Sequence, residues 1–306
     1  MVASTLLRRE FRAMGTTLAL TCPDAPGAER RLRLAERWAH AYEGRLSRFI
    51  PYSELSRLNN ARGTAFRASP LLFEFVSLCL QLARRSGGIF DPTLLHEVEA
   101  AGYDRTFELI DSARARPPPA RTASYEDIRL DERRRMVTLP LGLALDSGGL
   151  GKGWAADRLA ALLGAPCLVD CGGDLAALGH PPGEDAWYIA VEDPLEPQRD
   201  LMLIGVVDRG VATSSVLRRR WETDRGAAHH LIDPRSGLPA STDAVAVTVV
   251  APGATLADFH AKVALLKGAQ AGLEYLDGEA GVEGLVARAD GSVLRSSGFS
   301  AYVVAA

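Results

Sequence analysis

The chain has 306 residues, with 35 Lys plus Arg against 38 Asp plus Glu, a formal net charge of -3, and 47% hydrophobic beside 24% charged residues. That length can bury a substantial core, and the balance is that of an ordinary globular protein, which excludes a disulfide-stapled miniature, a disordered chain and a collagen-like repeat. A basic excess of the kind that marks a nucleic-acid partner is missing, and Arg218, Arg219 and Arg220 form only a short local cluster.

The longest apolar runs, at 137–145 and 201–207, are strand length, so no membrane span is expected. Arg8, Arg9, Glu10 and Arg12 fall where a signal peptide would carry its apolar stretch, which leads to the expectation of a cytoplasmic protein. Four cysteines, Cys22, Cys79, Cys167 and Cys171, are too few and too scattered for a disulfide framework. Cys167 and Cys171 fall in one strand-like run, where residues four apart lie roughly 13 Å from each other, too far for one bridge or one tetrahedral ion. They read as small buried hydrophobes.

In chain order, 11–21 reads as a strand broken by Met14-Gly15-Thr16-Thr17. Ala35, Trp38, Ala39, Tyr42 and Leu46 recur at three and four residues, the face of a core-packed helix. Ser69-Pro70 is an N-cap with proline at the first helical position, and that helix runs to Gly87-Gly88. Pro117-Pro118-Pro119 marks an exposed crossing. No long Gly/Ser linker separates independent halves, so one domain over 1–306 is expected. Strands are expected at 136–144, 167–170, 187–191, 201–207, 245–250, 284–289 and 299–304, and helices at 154–163, 257–266 and 269–276. Adjacent strands mixed with single helices predict an α+β fold, with mixed or antiparallel sheets flanked by helices.

Three stretches could carry chemistry. Asp146-Ser147-Gly148-Gly149-Leu150-Gly151-Lys152-Gly153 follows a strand and opens a helix, where free N–H groups and the helix dipole favour a phosphate and Lys152 adds a positive charge. A Walker loop would need a hydroxyl residue where Gly153 stands, and the glycine spacing does not fit a dinucleotide fingerprint. Asp146-Ser147-Gly148-Gly149 is also similar to the nucleophile segment of chymotrypsin-like proteases, although His96, upstream in helix-like Leu95-His96-Glu97-Val98, suits that role poorly. A plain strand-to-helix turn is the remaining alternative.

His229-His230-Leu231-Ile232-Asp233-Pro234-Arg235-Ser236-Gly237 sets two histidines before an Asp-Pro turn, and adjacent strand residues face opposite sides, so at most one can act as a general base in a given site. Thr255 is a plausible N-cap for a helix ending at Gly268, on which Asp258 and Lys262 share a face. Spacing alone makes them a surface ion pair.

Taken in order, these segments resemble the ApbE family of FAD:protein FMN transferases from Phe11 to about Phe299. The resemblance rests on Met14-Gly15-Thr16, Ser53-Glu54-Leu55-Ser56-Arg57-Leu58-Asn59, Gly88-Ile89-Phe90-Asp91-Pro92-Thr93, the 146–153 loop, Gly172-Gly173-Asp174, Val191-Glu192-Asp193-Pro194, Val211-Ala212-Thr213-Ser214 and the 230–237 segment. It implies a single ApbE-like domain that binds FAD, splits its diphosphate, and passes FMN to a threonine or serine hydroxyl on the FMN-binding domain of an acceptor flavoprotein, releasing AMP.

The resemblance further implies cofactor contacts from Met14, Phe49, Ile89, Phe90, Asp91, Asp146, Lys152 and Ile232, with Phe49 where the family usually has tyrosine, and His230 as the base. It implies a Mg2+ site built on Asp258, the Gly149 carbonyl and a threonine four residues after the aspartate. Here that last position is Lys262, whose ammonium cannot ligate a cation, so Mg2+ is expected to bind appreciably only with FAD present, or to be replaced in part by the ammonium. Ser215, where glycine is usual, is a second departure. The competing readings are an FAD pyrophosphatase, a flavin-binding protein with impaired catalysis, and a serine hydrolase built on Ser147.

Overall fold

A computed structural model describes residues 5–110 and 114–304. The chain forms two compact units. The first combines the segment up to Ala41 with Leu150–Ser215 and the segment from Thr242 onward; the second combines Tyr42–Gly149 with Val216–Ser241.

The first unit is built on an eight-stranded sheet whose strands neighbour one another in chain order: β1 (Leu6–Ala13), β2 (Thr16–Pro23), β3 (Cys167–Cys171), β4 (Leu175–Leu178), β5 (Arg209–Ser215), β6 (Ala244–Ala251), β7 (Glu283–Arg288) and β8 (Val293–Arg295). All seven ladders are antiparallel. Pairing of Ala13 with Thr16 leaves Met14 and Gly15 as a two-residue turn, both with left-handed φ of +54° and +66°. Such a turn matches the twist of a hairpin, and for Met14 the left-handed region carries a steric cost.

Helices α2 (Gly151–Leu163), α3 (Ala254–Lys267) and α4 (Ala269–Asp277) cover this sheet, α2 on β3 and β4, α3 on β5 and β6, α4 on β7; α1 (Ala28–Leu46) precedes them, and its last turn belongs to the second unit. A hairpin of Trp187–Glu192 and Asp200–Val206 contributes Trp187, Ile189, Val191, Ile204 and Val206 to a cluster with Val211, Val250, Leu285 and Phe299. Every residue of β6 is buried, which is why 245–250 reads as an apolar run interrupted only by Thr248 rather than as an alternation.

Three expectations change. The segment 299–304 is not a strand: Phe299–Tyr302 is a 3-10 turn, entered where Ser296 and the Gly298 N–H bond to the Glu283 carboxylate, and it buries Phe299 as a single anchor. Of 136–144 only Met136–Thr138 is strand, because Pro140 has no N–H for a ladder and opens a turn closed by Leu143 N to Pro140 O at 3.2 Å. Thr255 is not the N-cap of α3; Gly253 is, and Thr255 sits in the first turn.

Strands β4 and β5 carry no sequence signal: β4 is the four-residue Leu175–Leu178, and β5 needs a small residue at Gly210. A Cβ on Gly210 in β5 would lie 2.1 Å from the Ala254 nitrogen at the start of α3.

The second unit is also α+β. The helix Pro70–Arg85 starts as expected, with Ser69 accepting from Leu72 N and proline at the first position. Shorter helices Glu54–Asn59 and Leu95–Ala100 accompany an antiparallel sheet of Phe66–Arg67, Met136–Thr138 and Arg129–Asp131. The hairpins Arg220–Thr223 with Gly226–His229, and Ile232–Asp233 with Leu238–Pro239, follow. Leu94, Val98, Ala101, Tyr103, Trp221, Ala228 and Ile232 form a core cluster. Among the described residues no helix is long and apolar enough to cross a membrane.

Candidate functional site

In the first unit the side chains that carry charge into the interior meet along α2 and α3. Gly153 explains how: a Cβ there would stand 2.6 Å from the Ala254 carbonyl oxygen and 2.8 Å from the Asp258 Cβ, so only glycine lets the two helices approach this closely. The residue that defeats a Walker motif is thus a packing requirement. One position earlier, Lys152 donates to Asp174 Oδ2 at 2.5 Å. On α3, Lys262 donates to Asp258 Oδ1 at 3.1 Å.

The Lys262–Asp258 pair and the Asp174 carboxylate are shielded from water, while the Lys152 side chain is 24% exposed. The Lys262 and Asp258 side chains are only 13% and 9% exposed, so the expectation of a surface ion pair is corrected: helical spacing makes them neighbours, and the sheet and adjoining helices bury them. Asp174 is pushed above the ordinary carboxylate range by burial and then by the negative charge of Asp258, while Lys152 and Lys262 oppose the shift. Asp258, Lys152 and Lys262 therefore all act on the Asp174 carboxyl, and the formal charges of the four groups cancel.

The same end of the sheet carries Met14. The Gly172 turn between β3 and β4 has φ +70°, and a Cβ there would lie 2.3 Å from Thr16 Oγ1, so the Met14-Gly15 turn and the Gly172-Gly173-Asp174 turn are adjacent. The N-terminus of α3 is already served by a carboxylate. Asp157 Oδ1 accepts from Ala254 N at 2.8 Å, and its Oδ2 accepts from Thr255 N at 2.9 Å and from the Thr255 hydroxyl at 2.5 Å.

In the second unit Asp146 opens the glycine turn. Its N–H donates to Pro92 O, its Oδ1 accepts from Gly148 N at 3.0 Å, and Arg48 Nε stands 3.4 Å from that oxygen. The Arg48 guanidinium lies 4.2 Å from the Phe49 ring centroid and 4.6 Å from that of Tyr103, and donates to Tyr103 O at 2.9 Å. Phe49 keeps 38% of its surface exposed. Ser147 donates its hydroxyl to Leu46 O at 2.7 Å. Asn59 holds the loop from the other side, giving to Leu145 O and accepting from Leu145 N, both at 2.9 Å.

Several expected cofactor residues have committed side chains. Phe90 and Ile232 are buried in the core, and Asp91 accepts from Thr93 N at 2.8 Å, from the Thr93 hydroxyl at 2.6 Å and from Arg121 at 2.9 Å. A ligand at 89–91 or at 232 would meet backbone there, or the half-buried Ile89. His229 directs Nε2 to Ala240 O at 3.1 Å and is held below its ordinary pKa by burial, so it is neutral at pH 7. His230, the next residue, is half-buried at the end of the strand Gly226–His229.

Of the sequence-derived residues, Met14, Lys152, Asp258 and Lys262 fall in the first unit, and Phe49, Ile89, Phe90, Asp91, Asp146, Gly149, His230 and Ile232 in the second. Asp174, Asp157 and Arg48 were missed as site residues. A carboxylate directly after a Gly-Gly turn that closes a buried strand was the available signal for Asp174.

A model of the ApbE family matches residues 14–286, and the chain belongs to that family. It is 30% identical over 266 residues, 80% of this chain and 74% of the relative, to the FAD:protein FMN transferase of Treponema pallidum. Over 264 residues, 81% of this chain and 75% of the relative, it is 26% identical to the FAD:protein FMN transferase of Escherichia coli K12. Its fold matches the crystal structure of the ApbE protein of Thermotoga maritima with a TM-score of 0.88 at 21% identity, covering 98% of this chain and 100% of that one. The apo form of the Pseudomonas stutzeri flavinyl transferase ApbE gives a TM-score of 0.83 at 23% identity, with 99% and 98% covered.

Proposed function

We propose that this chain is an FAD:protein FMN transferase, carrying FMN from FAD to a threonine or serine hydroxyl of an acceptor flavoprotein and releasing AMP. The observation that carries the reading is the 30% identity, over 80% of the chain, to a relative named for that activity. The paired lysines support it, since an enzyme acting on a diphosphate must mainly position groups and neutralise charge.

In this reading the acceptor oxygen forms a bond to the phosphorus on the FMN side, the bond from that phosphorus to the bridging oxygen breaks, and AMP leaves with the electron pair. His230 takes the hydroxyl proton, making a neutral nucleophile competent. Lys152 and Lys262 offset the charge on the diphosphate. The exposed ring of Phe49 and the Met14 side chain on its left-handed turn offer apolar contact to the ring systems of FAD, and Asp146 orders the glycine turn. The hydroxyl of Ser147, spent on a backbone carbonyl, argues against a serine hydrolase.

The family resemblance also implies Mg2+, and the residues present do not suit it. The Asp258 carboxylate is bound to an ammonium where a neutral oxygen donor would be needed. Four buried free thiols support a reducing compartment such as the cytoplasm.

The test is to incubate the protein with FAD, Mg2+ and a candidate FMN-binding domain, weigh that domain and assay AMP. A covalent FMN adduct with stoichiometric AMP, lost in His230→Ala, is expected. Free FMN and AMP without an adduct would replace transfer by hydrolysis, and FAD left intact would overturn the reading.

A further inference from the structure

We propose that the ammonium of Lys262 takes the place of a divalent cation in this chain, so that FAD is bound and its diphosphate cleaved without one; the inference rests on the FMN-transfer reading above. Its basis is the four-membered arrangement of Lys152, Asp174, Asp258 and Lys262.

The two ion pairs adjoin, because Gly153, next to Lys152, comes so close to Asp258 that a Cβ on it would stand 2.8 Å from the Asp258 Cβ, and Asp174 feels Asp258 and both lysines. The set of four is neutral as it stands. Lys262 Nζ stands 3.1 Å from Asp258 Oδ1, so a divalent ion about 2 Å from that oxygen would lie within about 5 Å of the ammonium, in a region where both side chains are about nine-tenths buried. Like charges at such separations repel strongly in a poorly screened interior, and moving the lysine away would leave a buried carboxylate with an uncompensated excess of positive charge around it. The ion pair is thus a competitor of any metal at Asp258.

Two ammonium groups also provide what the chemistry requires. Together they carry the charge of one divalent ion, divided between two points on separate helices, with Lys152 at the start of α2 and Lys262 inside α3. Each is on a flexible four-carbon stem, so each can turn from its carboxylate to a phosphate oxygen. A buried ion pair contributes little net stability relative to apolar packing, so the pairs have no strong structural reason to be there. As the diphosphate binds, its charge replaces that of the carboxylates as the partner of both amines.

The experiment compares the full chain with Lys262→Thr and Lys262→Met. FAD affinity is read from quenching of flavin fluorescence in EDTA and in excess Mg2+, Mg2+ uptake by the FAD-loaded protein is read by calorimetry, and folding of each variant is checked by thermal denaturation. The wild type should bind FAD equally in both buffers and take up no Mg2+ beyond that held by FAD itself. Lys262→Thr, which restores a neutral oxygen donor, should bind FAD about tenfold more weakly in EDTA and recover with Mg2+; Lys262→Met should weaken similarly and recover less. Tight uptake of Mg2+ by wild type loaded with FAD, or a loss of its FAD affinity in EDTA, would overturn the proposal while leaving FMN transfer intact. A folded Lys262→Thr that gains no response to Mg2+ would also overturn it. Absence of FAD binding under every condition would instead remove the FMN-transfer reading itself.

Discussion

Asp157 on α2 receives the Thr255 N–H at 2.9 Å and the Thr255 hydroxyl at 2.5 Å, and so one helix caps the N-terminus of the next. Nearly a hundred residues of chain separate the two partners. Asp157→Ala removes three hydrogen bonds to a single carboxylate, counting that from Ala254 N. The expected loss is about 2 kcal/mol, at the upper end of cap substitutions because the site is partly buried. Urea denaturation checks it, and Asp157→Asn should recover part of the loss.

Gly153→Ala should cost about 1–3 kcal/mol despite the better helix propensity of alanine, since the added methyl meets the Ala254 carbonyl and the Asp258 Cβ. If α2 and α3 separate to admit it, the Lys262–Asp258 and Lys152–Asp174 pairs lose their shared environment. Denaturation midpoints measure the first effect, and FAD affinity of the folded variant the second. An unchanged midpoint would contradict the close approach.

Ser147→Ala should leave FMN transfer within about twofold of wild type and lower stability by about 1 kcal/mol, the ordinary net value of one hydrogen bond, here to Leu46 O. Loss of all activity on FAD in a stably folded Ser147→Ala would restore the nucleophile reading. A coupled assay of AMP release together with chemical denaturation separates these outcomes.

His229 gives the pH dependence a definite sign. Burial, with a smaller effect of Arg220, lowers its pKa from the ordinary 6.5, while the bond to Ala240 O works the other way. The folded state therefore favours the neutral ring, and the stability this contributes is present above pH 6.5 and is lost as pH falls through the depressed folded value. His229→Gln cannot titrate and can still donate to the Ala240 carbonyl. Denaturation of both proteins from about pH 7 to about pH 5 should show a shallower acid decline in the variant.

Much of the arrangement was legible along the chain. The helix at Ser69-Pro70, the break at Met14-Gly15, and the buried nature of Cys167 and Cys171 follow from local rules of capping, turn formation and residue size. The motif 53–59 was legible as a pattern but not as a mechanism. In the fold Ser53 caps the short helix through Ser56 N, Glu54 binds Ser69, and Asn59 fixes the Asp146 loop through Leu145, so these polar residues build the support of the loop. By contrast, β4 and β5 were invisible, because β4 has only four residues and the demand for a small residue at Gly210 against α3 breaks the branched apolar run by which β5 would be recognised.

The sequence by itself determined the α+β class, most helices, and family membership through motifs in order, because these depend on periodicity, caps and residue identity at short range. Only the tertiary structure decided that Asp258 and Lys262 lie inside the protein rather than on its surface, and that Asp174 shares their field. Helical spacing fixes which side chains are neighbours along a helix, whereas what water can reach is set by segments that arrive from elsewhere in the chain. Burial turns the same lysine from a solvated partner worth a few tenths of a kcal/mol into a charge that can compete with a metal ion.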